Sequence, residues 1–527
     1  MKHHIFLAVL AVTLLATACG DPQVPADFVA GKEQPAIYPD YIDVTVPVNM
    51  APLHFEMTED DGRQFVTRLA AGDVQVVCEG AKVMPSIADW QRLVAKAVGG
   101  AISVEVYESR DEGQWMRYKP FSIFVSPDSI DPWLSYRLIS PSYVTYEELT
   151  INQRCLESYE ERVVYDNMLC SAEATGQCIN CHSYQNGNPQ RMQFHARQNL
   201  GGTVISYDGH TYKTNLKTDS TLSAGVYPAW HPRLPLIAYS TNNTMQMFHT
   251  RHHNKIEVID SKSDLILYDL EHGEVQNVEN DPEEFEVFPF WSPDGKYLYY
   301  CSAHFVKKDT ISDEAETILR YKDIKYNVYR KAFDEQSLTF GPRQLVFDAA
   351  AQGLSATLPR ISPDGRWLLL TVGEWGVFHI WHSDADLWLI DLKAPASLST
   401  TGEVAAQDSS ATNAFPIGGR LEGANSPSVE SYHTWSRSGR WIVFSSRRYD
   451  GDFTRPFFTH IDNDGHVSKP FELPADDPDY HRQLMKSYNI PELMMGPVTI
   501  TPQEFADVLK KDAVPAKFVR RTKGVEN

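Results

Sequence analysis

From residue 36 to about 145, apolar and polar positions alternate in short runs, YIDVTVPV, DVQVVCEG, AISVEVYES and SIFVSPD, parted by Gly, Pro and Asp. Alternation with a period of two marks strands that bury one face. Several such strands at close spacing predict a small Ig-like β-sandwich over 36–145. The stretch that follows, YEELTINQRCLESYEERVVYDNMLCSAEATGQCINCHSY, breaks this pattern, and 146–200 is expected to be a short, more helical connector.

The second half repeats itself. YPAWHPRLPLIAYST from Tyr227, FPFWSPDGKYLYYCS from Phe288, LPRISPDGRWLLLTV from Leu358 and YHTWSRSGRWIVFSS from Tyr432 align without gaps. Trp230, Trp291, Ile361 and Trp435 share one column, and Ile237, Leu298, Leu368 and Ile442 another. Between the columns, SPDG is turn chemistry: proline presets φ, aspartate bonds back to the chain, and glycine accepts a positive φ. Each unit is a strand, a tight turn and a strand. Downstream, SDLILYDLEHGEV, ADLWLIDLKAPA and RPFFTHIDNDGHV each add a strand and a turn.

These segments resemble the TolB-like, WD40-like propeller repeat, an aromatic followed by SPDG and an apolar strand. The resemblance implies a mainly β chain whose C-terminal part, 201–500, is a β-propeller of about six blades, four of them visible, followed by a tail at 501–527. Members of the first column lie 61, 70 and 74 residues apart, more than the roughly 40–45 of a bare blade. Inserted loops or degenerate blades therefore lie between them. A propeller protects its edges by pairing its two ends, and the early strand GGTVISYDGHTYK is expected to complete the last blade. Propellers host many unrelated tasks, so the repeat says little about function.

The N-terminus supplies the compartment. MKHHIFLAVLAVTLLATACGD has a basic start, an apolar run and small residues up to Cys19, the pattern of a secretory signal over 1–18. Cysteine after Ala-Thr-Ala resembles the bacterial lipobox, although Ala16 stands where leucine is usual. The resemblance implies lipidation of Cys19, a tether over 19–35, and a bacterial envelope protein facing the periplasm or the cell surface. No later stretch approaches the roughly 20 apolar residues of a membrane span. With 48 Lys and Arg against 69 Asp and Glu, the formal net charge is -21, which argues against nucleic acid as a partner.

Within the connector stands CINCH. Haem c is held by thioethers from two cysteines to the porphyrin vinyl groups, and the histidine after the second cysteine takes the iron. Cys178 and Cys181 are spaced to reach one porphyrin edge from a single helical turn, and His182 follows directly. A structural zinc site needs a second pair, for which only the isolated Cys155 and Cys170 are near. A thioredoxin-like pair needs a βαβ setting that is missing here. One covalent haem c is therefore expected. Cys155 and Cys170 can equally be a disulfide or two free thiols. For the sixth iron position His195 is the first candidate and Met192 the second; Met245, Met247, His249, His252, His253, Met485, Met494 and Met495 are further donors.

Two functions follow. One is an envelope-anchored monohaem cytochrome that exchanges electrons with an unknown partner. The other is a propeller lipoprotein that binds an envelope protein or glycan, its haem structural or vestigial. A haem-dependent small-ligand enzyme is a third reading, because an open sixth iron position could support such chemistry; no other site assembles, as GxSxG, HExxH and phosphate-binding glycine loops are all missing.

Overall fold

The SPDG turns close as their chemistry requires. Ser292 donates to Asp294 at 2.6 Å, the Gly295 N–H returns to the Ser292 carbonyl at 2.9 Å, and Gly295 takes a φ of 72°. Ser362, Asp364 and Gly365 repeat the arrangement. Each such turn joins the first two strands of a four-stranded antiparallel blade. In the computed structural model the described residues are 23–521, apart from 60–61, 111–112, 141–147, 171–176, 251–253, 309–310 and 394–417. The signal segment 1–18 and Cys19 lie outside them.

Six blades form the propeller. Reading outward from the axis, blade one is Ile179–Tyr184, Arg191–Ala196, Gly202–Tyr207 and His210–Asn215. Blades two to five start at Val226–Trp230, Glu284–Trp291, Ser355–Ile361 and Glu430–Trp435. Blade six has its inner strand, Ser487–Met494, near the C-terminus, while Trp133–Ile139, Thr150–Cys155 and Glu161–Asp166 supply its outer strands.

Three expectations change. The connector is not helical: its described part contributes the outer strands of blade six and the inner strands of blade one, with only 3-10 turns between them. ERVVYD has the β-branched and aromatic residues of a strand, and tertiary pairing overrides the helix-forming residues around it. The segment GGTVISYDGHTYK does not close the last blade; it forms the outer strands of blade one, and closure comes from 133–166. The N-terminal module has a seven-stranded sheet, but its facing layer is a three-stranded sheet together with the helix Ile87–Ala97. That helix is capped by Ser86 and buries Trp90, Leu93, Val94 and Ala97 at helical spacing, against the sheet residues Leu69, Val104 and Ile123.

The N-terminal module is fused to the propeller. Its core continues into Trp441, Val443, Phe458 and Phe471 of blade five and Tyr488 of blade six. The C-terminal residues form a strap: helix Pro502–Leu509 buries Phe505 and Leu509 between blades six and one, and Val514–Pro515 and Lys517–Phe518 pair in parallel with blades one and two. Among the described residues no helix is long and apolar enough to cross a membrane.

Trp441 is fully buried and donates its indole N–H to the Asp128 carbonyl at 3.0 Å, joining the two modules. Trp441→Ala is expected to lower stability to denaturant by about 3–5 kcal/mol while keeping a single transition. A loss under about 1 kcal/mol, or separate transitions, would show that the modules fold independently.

Candidate functional site

Each inner strand bends where it meets the axis. The bend falls on Cys181, Tyr227, Phe288, Leu358, Tyr432 and Ile490, whose φ values are 55°, 50°, 53°, 54°, 47° and 52°. Such left-handed backbone in residues other than glycine costs about 1–3 kcal/mol each, and in the five blades led by Cys181 to Tyr432 the register of the inner pair slips there. Six side chains thus form a ring around the axis. Three positions on stand Tyr184, Trp230, Trp291, Ile361, Trp435 and Leu493, so CHSY and IPEL are two further copies of the repeat.

The ring divides an axial passage. On one side lies a chamber of about 380 Å³, walled in part by Cys178, Asn180, Arg137, Arg197, Arg447 and Trp381. On the other, Cys181 and His182 face a narrow channel of about 40 Å³ that also holds Arg360 and Glu492. Tyr227 borders both spaces. Burial pushes Glu492 up to about 7 and lowers Arg360, and each charge favours the other's ionised form. A third space, about 390 Å³, opens at the far end between Trp230, Trp291 and Trp435.

The position after the ring residue is proline in four blades, Pro228, Pro289, Pro359 and Pro491, and histidine in two. The two histidines differ. His433 is a satisfied core residue, with Nδ1 at 3.3 Å from the Thr371 hydroxyl and Nε2 at 3.1 Å from the Leu369 carbonyl. His182 is 1% exposed and neither ring nitrogen has a hydrogen-bond partner. Burial, reinforced by the Arg137 charge, lowers its pKa to about 3, while the Ile490 and Ser135 carbonyls pull the other way.

The other expected residues fall as follows. Cys178 is half-buried on the chamber wall; Cys181, in the ring, is 2% exposed, and burial raises its thiol. The two thiols are close enough for a charge on Cys178 to raise Cys181 further. The motif is a bulged strand, not the single helical turn expected. Met192 is buried on the face it shares with Tyr184, in the core between blades one and six. His195 pairs across from Thr203, its Nδ1 3.3 Å from that hydroxyl, and lies on the opposite face of the sheet. Neither is a lining residue of the chamber or the channel. Among the further donors Met245 and Met247 pack on a propeller core, Met494 is buried, Met485 and Met495 are exposed, and His252 and His253 lie outside the described residues. Cys155 and Cys170 are free thiols.

The residues fit a covalent haem in their donor chemistry. A neutral buried imidazole whose two nitrogens close no hydrogen bond is rare in proteins and calls for a partner, and iron takes neutral imidazole; the Cys178 side chain borders the chamber, while Cys181 and His182 lie across the ring on the channel. The arginines, whose identity as a group sequence reasoning missed, are spread over 310 positions from Arg137 to Arg447, and no local motif joins them.

His182, His195, His379 and His433 are all held by burial at about 3. A base with a folded pKa below its unfolded value binds fewer protons when folded, so stability falls as pH drops from about 6.5 toward 3. His433→Gln should flatten that slope by up to about 1.4 kcal/mol per pH unit, measured by urea unfolding; an unchanged slope would contradict the neutral assignment.

No family model matches the chain, and no curated protein does. Among solved structures, a prolyl endopeptidase aligns at 10% identity and a TM-score of 0.31, covering 65% of this chain and 42% of that one, so the chain spans less than half of its length. A putative 6-phosphogluconolactonase from Bacteroides fragilis aligns at 11% identity and 0.30, covering 66% of this chain and 97% of that one. The Synechocystis apocarotenoid oxygenase aligns at 10% and 0.34, covering 86% and 95%. At these values the fold rests on the chain's own strand pairing.

Proposed function

We propose that this chain is an envelope lipoprotein, anchored through Cys19, whose TolB-like propeller carries one c-type haem at its axis and exchanges electrons with a partner protein. The observation that carries the reading is the contrast between His182 and His433 at equivalent positions: the His433 nitrogens make two hydrogen bonds, whereas the His182 nitrogens lie near the Ile490 and Ser135 carbonyls without closing a well-formed one. Cys178 and Cys181 would hold the group through thioethers and His182 would offer the axial nitrogen. When bound, haem supplies a one-electron couple. The chain's own part is to keep His182 neutral, to exclude water from it, and to leave Cys178 open to the chamber.

Among its described lining residues the chamber has no methionine and no histidine. A second reading is favoured by the tryptophan-walled space at the far end of the axis: a binding face for an envelope protein or glycan, with a structural haem. The mature chain, made in a host with haem-attachment machinery, should show a c-type spectrum that shifts with dithionite and again with carbon monoxide. His182→Gln should keep the covalent haem and change its spin state. A colourless chain refutes the haem; a haem that no envelope redox partner reduces or oxidises leaves the binding role.

A further inference from the structure

The two middle strands of blade two, Leu236–Phe248 and Ile256–Asp269, run far past the blade they belong to. The inner strand follows them only to Ser240 and the outer strand only to Leu265. Beyond those points 241–248 pairs with 256–264 and forms a two-stranded arm, roughly 25 Å long at about 3.3 Å per residue. The arm alternates as a strand does. Asn242, Thr244 and Gln246 line the chamber beside Cys178, while Met245 and Met247 pack on a propeller core. On the other strand Val258 faces the chamber and Ile259 is buried in that core. Blade three supplies none of the described lining residues. The arm pairs with the start of its inner strand, Ser263 against Phe285, and forms the chamber wall on that side.

The inner strands touch in the order one to six and back to one, so blades two and five stand opposite. The arm nevertheless reaches both blade four and blade five. On blade four, the Ser383 N–H donates to Asn254 at 3.2 Å, and His382 Nε2 lies 2.8 Å from one carboxylate oxygen of Glu257, whose other oxygen is 3.6 Å from His249 Nε2. On blade five, Lys255 pairs with Asp452, in the turn whose Gly451 and Asp452 carbonyls accept from Arg447 of the chamber wall. The fastenings differ along the arm. Its base is held by the apolar packing of Met245, Met247 and Ile259, and Asn242 and Thr244 donate to Asp260 at 2.7 and 2.8 Å, tying the two strands into one piece. Its far end is held to blades four and five by polar groups. Lys255 and Asp452 are half-exposed, so their pair is weak and screened by salt. Glu257 and His382 are 3% and 1% exposed, and water replaces each as the other's partner once the arm lifts. We infer that the arm is a hinged wall of the chamber: it turns about its apolar base, and release of Lys255 from Asp452 and of Glu257 from His382 opens a way to Cys178. Closure seats the turn that holds Arg447, so closing the wall and fixing Arg447 are one event. The movement needs no haem.

The test compares the full mature chain with its Lys255→Ala, Glu257→Gln double variant by amide hydrogen exchange and mass spectrometry. Peptides from 241–248 and 256–264 should exchange at least tenfold faster in the variant, with the blade-five strand Trp441–Ser446 unchanged. Lys255→Arg should keep the protection of the unmodified chain. The same full chains, made in cells without haem-attachment machinery, are then treated with iodoacetamide, and each thiol is read by peptide mass. Cys178 should react at least tenfold faster in the variant, while Cys301, buried in a propeller core, stays unmodified in both and reports an intact fold. Equal arm exchange in the two chains would overturn the inference. So would faster arm exchange without faster labelling of Cys178, because the arm would then move without guarding the chamber. A rise shared by Trp441–Ser446 and Cys301 would overturn it too, by making these contacts props of the whole fold.

Discussion

The backbone bend at the axis governs everything else in this molecule. Six inner strands approach one line, and each turns away through a non-glycine residue with φ near +50°. That conformation is strained on its own and holds because the flanking blade pairs on both sides fix it. The bend aims one side chain of each blade at its neighbours and sets the next residue against the adjoining blade. In blade one those two residues are Cys181 and His182, so the propeller dictates the environment of the CINCH motif.

This placement explains a pair of unmet demands. His182 occupies a site that four blades fill with proline and one fills with a fully bonded histidine, and neither of its ring nitrogens closes a hydrogen bond among the described residues. Just across the ring, the buried Arg137 and Arg447 each have an Nε without a partner. Burying polar groups in this way is costly unless something completes them. The N-terminal module and the C-terminal strap then have a plain mechanical sense: they clamp blades five, six, one and two, the side of the propeller where the motif lies.

Much of the fold was legible, and the limits have physical causes. The Trp and SPDG columns identified four blades because tight turns and inter-blade packing demand particular side chains at fixed offsets. The bond from the Trp291 indole to the Ala229 carbonyl of the preceding blade shows why the aromatic recurs. Blade one hid because Tyr184 stands for tryptophan and QNGNPQ for SPDG, and the cysteines drew attention to cofactor chemistry. Blade six hid because its inner strand pairs with a strand about 350 positions earlier, a contact no local pattern can carry. The helix IADWQRLVAKA was readable from Ser86, Asp89 and the spacing of Trp90, Leu93, Val94 and Ala97, yet the strands around it masked it. At the site, Cys178, Cys181 and His182 were legible as a motif; the arginine chamber was not, since only the closed ring of blades brings its parts together.

The most direct test of the account is the intact mass of the mature chain, purified under denaturing conditions from cells whose haem-attachment machinery also loads a control cytochrome. The account predicts a mass exceeding the lipidated polypeptide by one haem, retained through acid and organic extraction. A mass equal to polypeptide and lipid alone, beside a fully loaded control, would contradict it and leave His182 without its proposed partner.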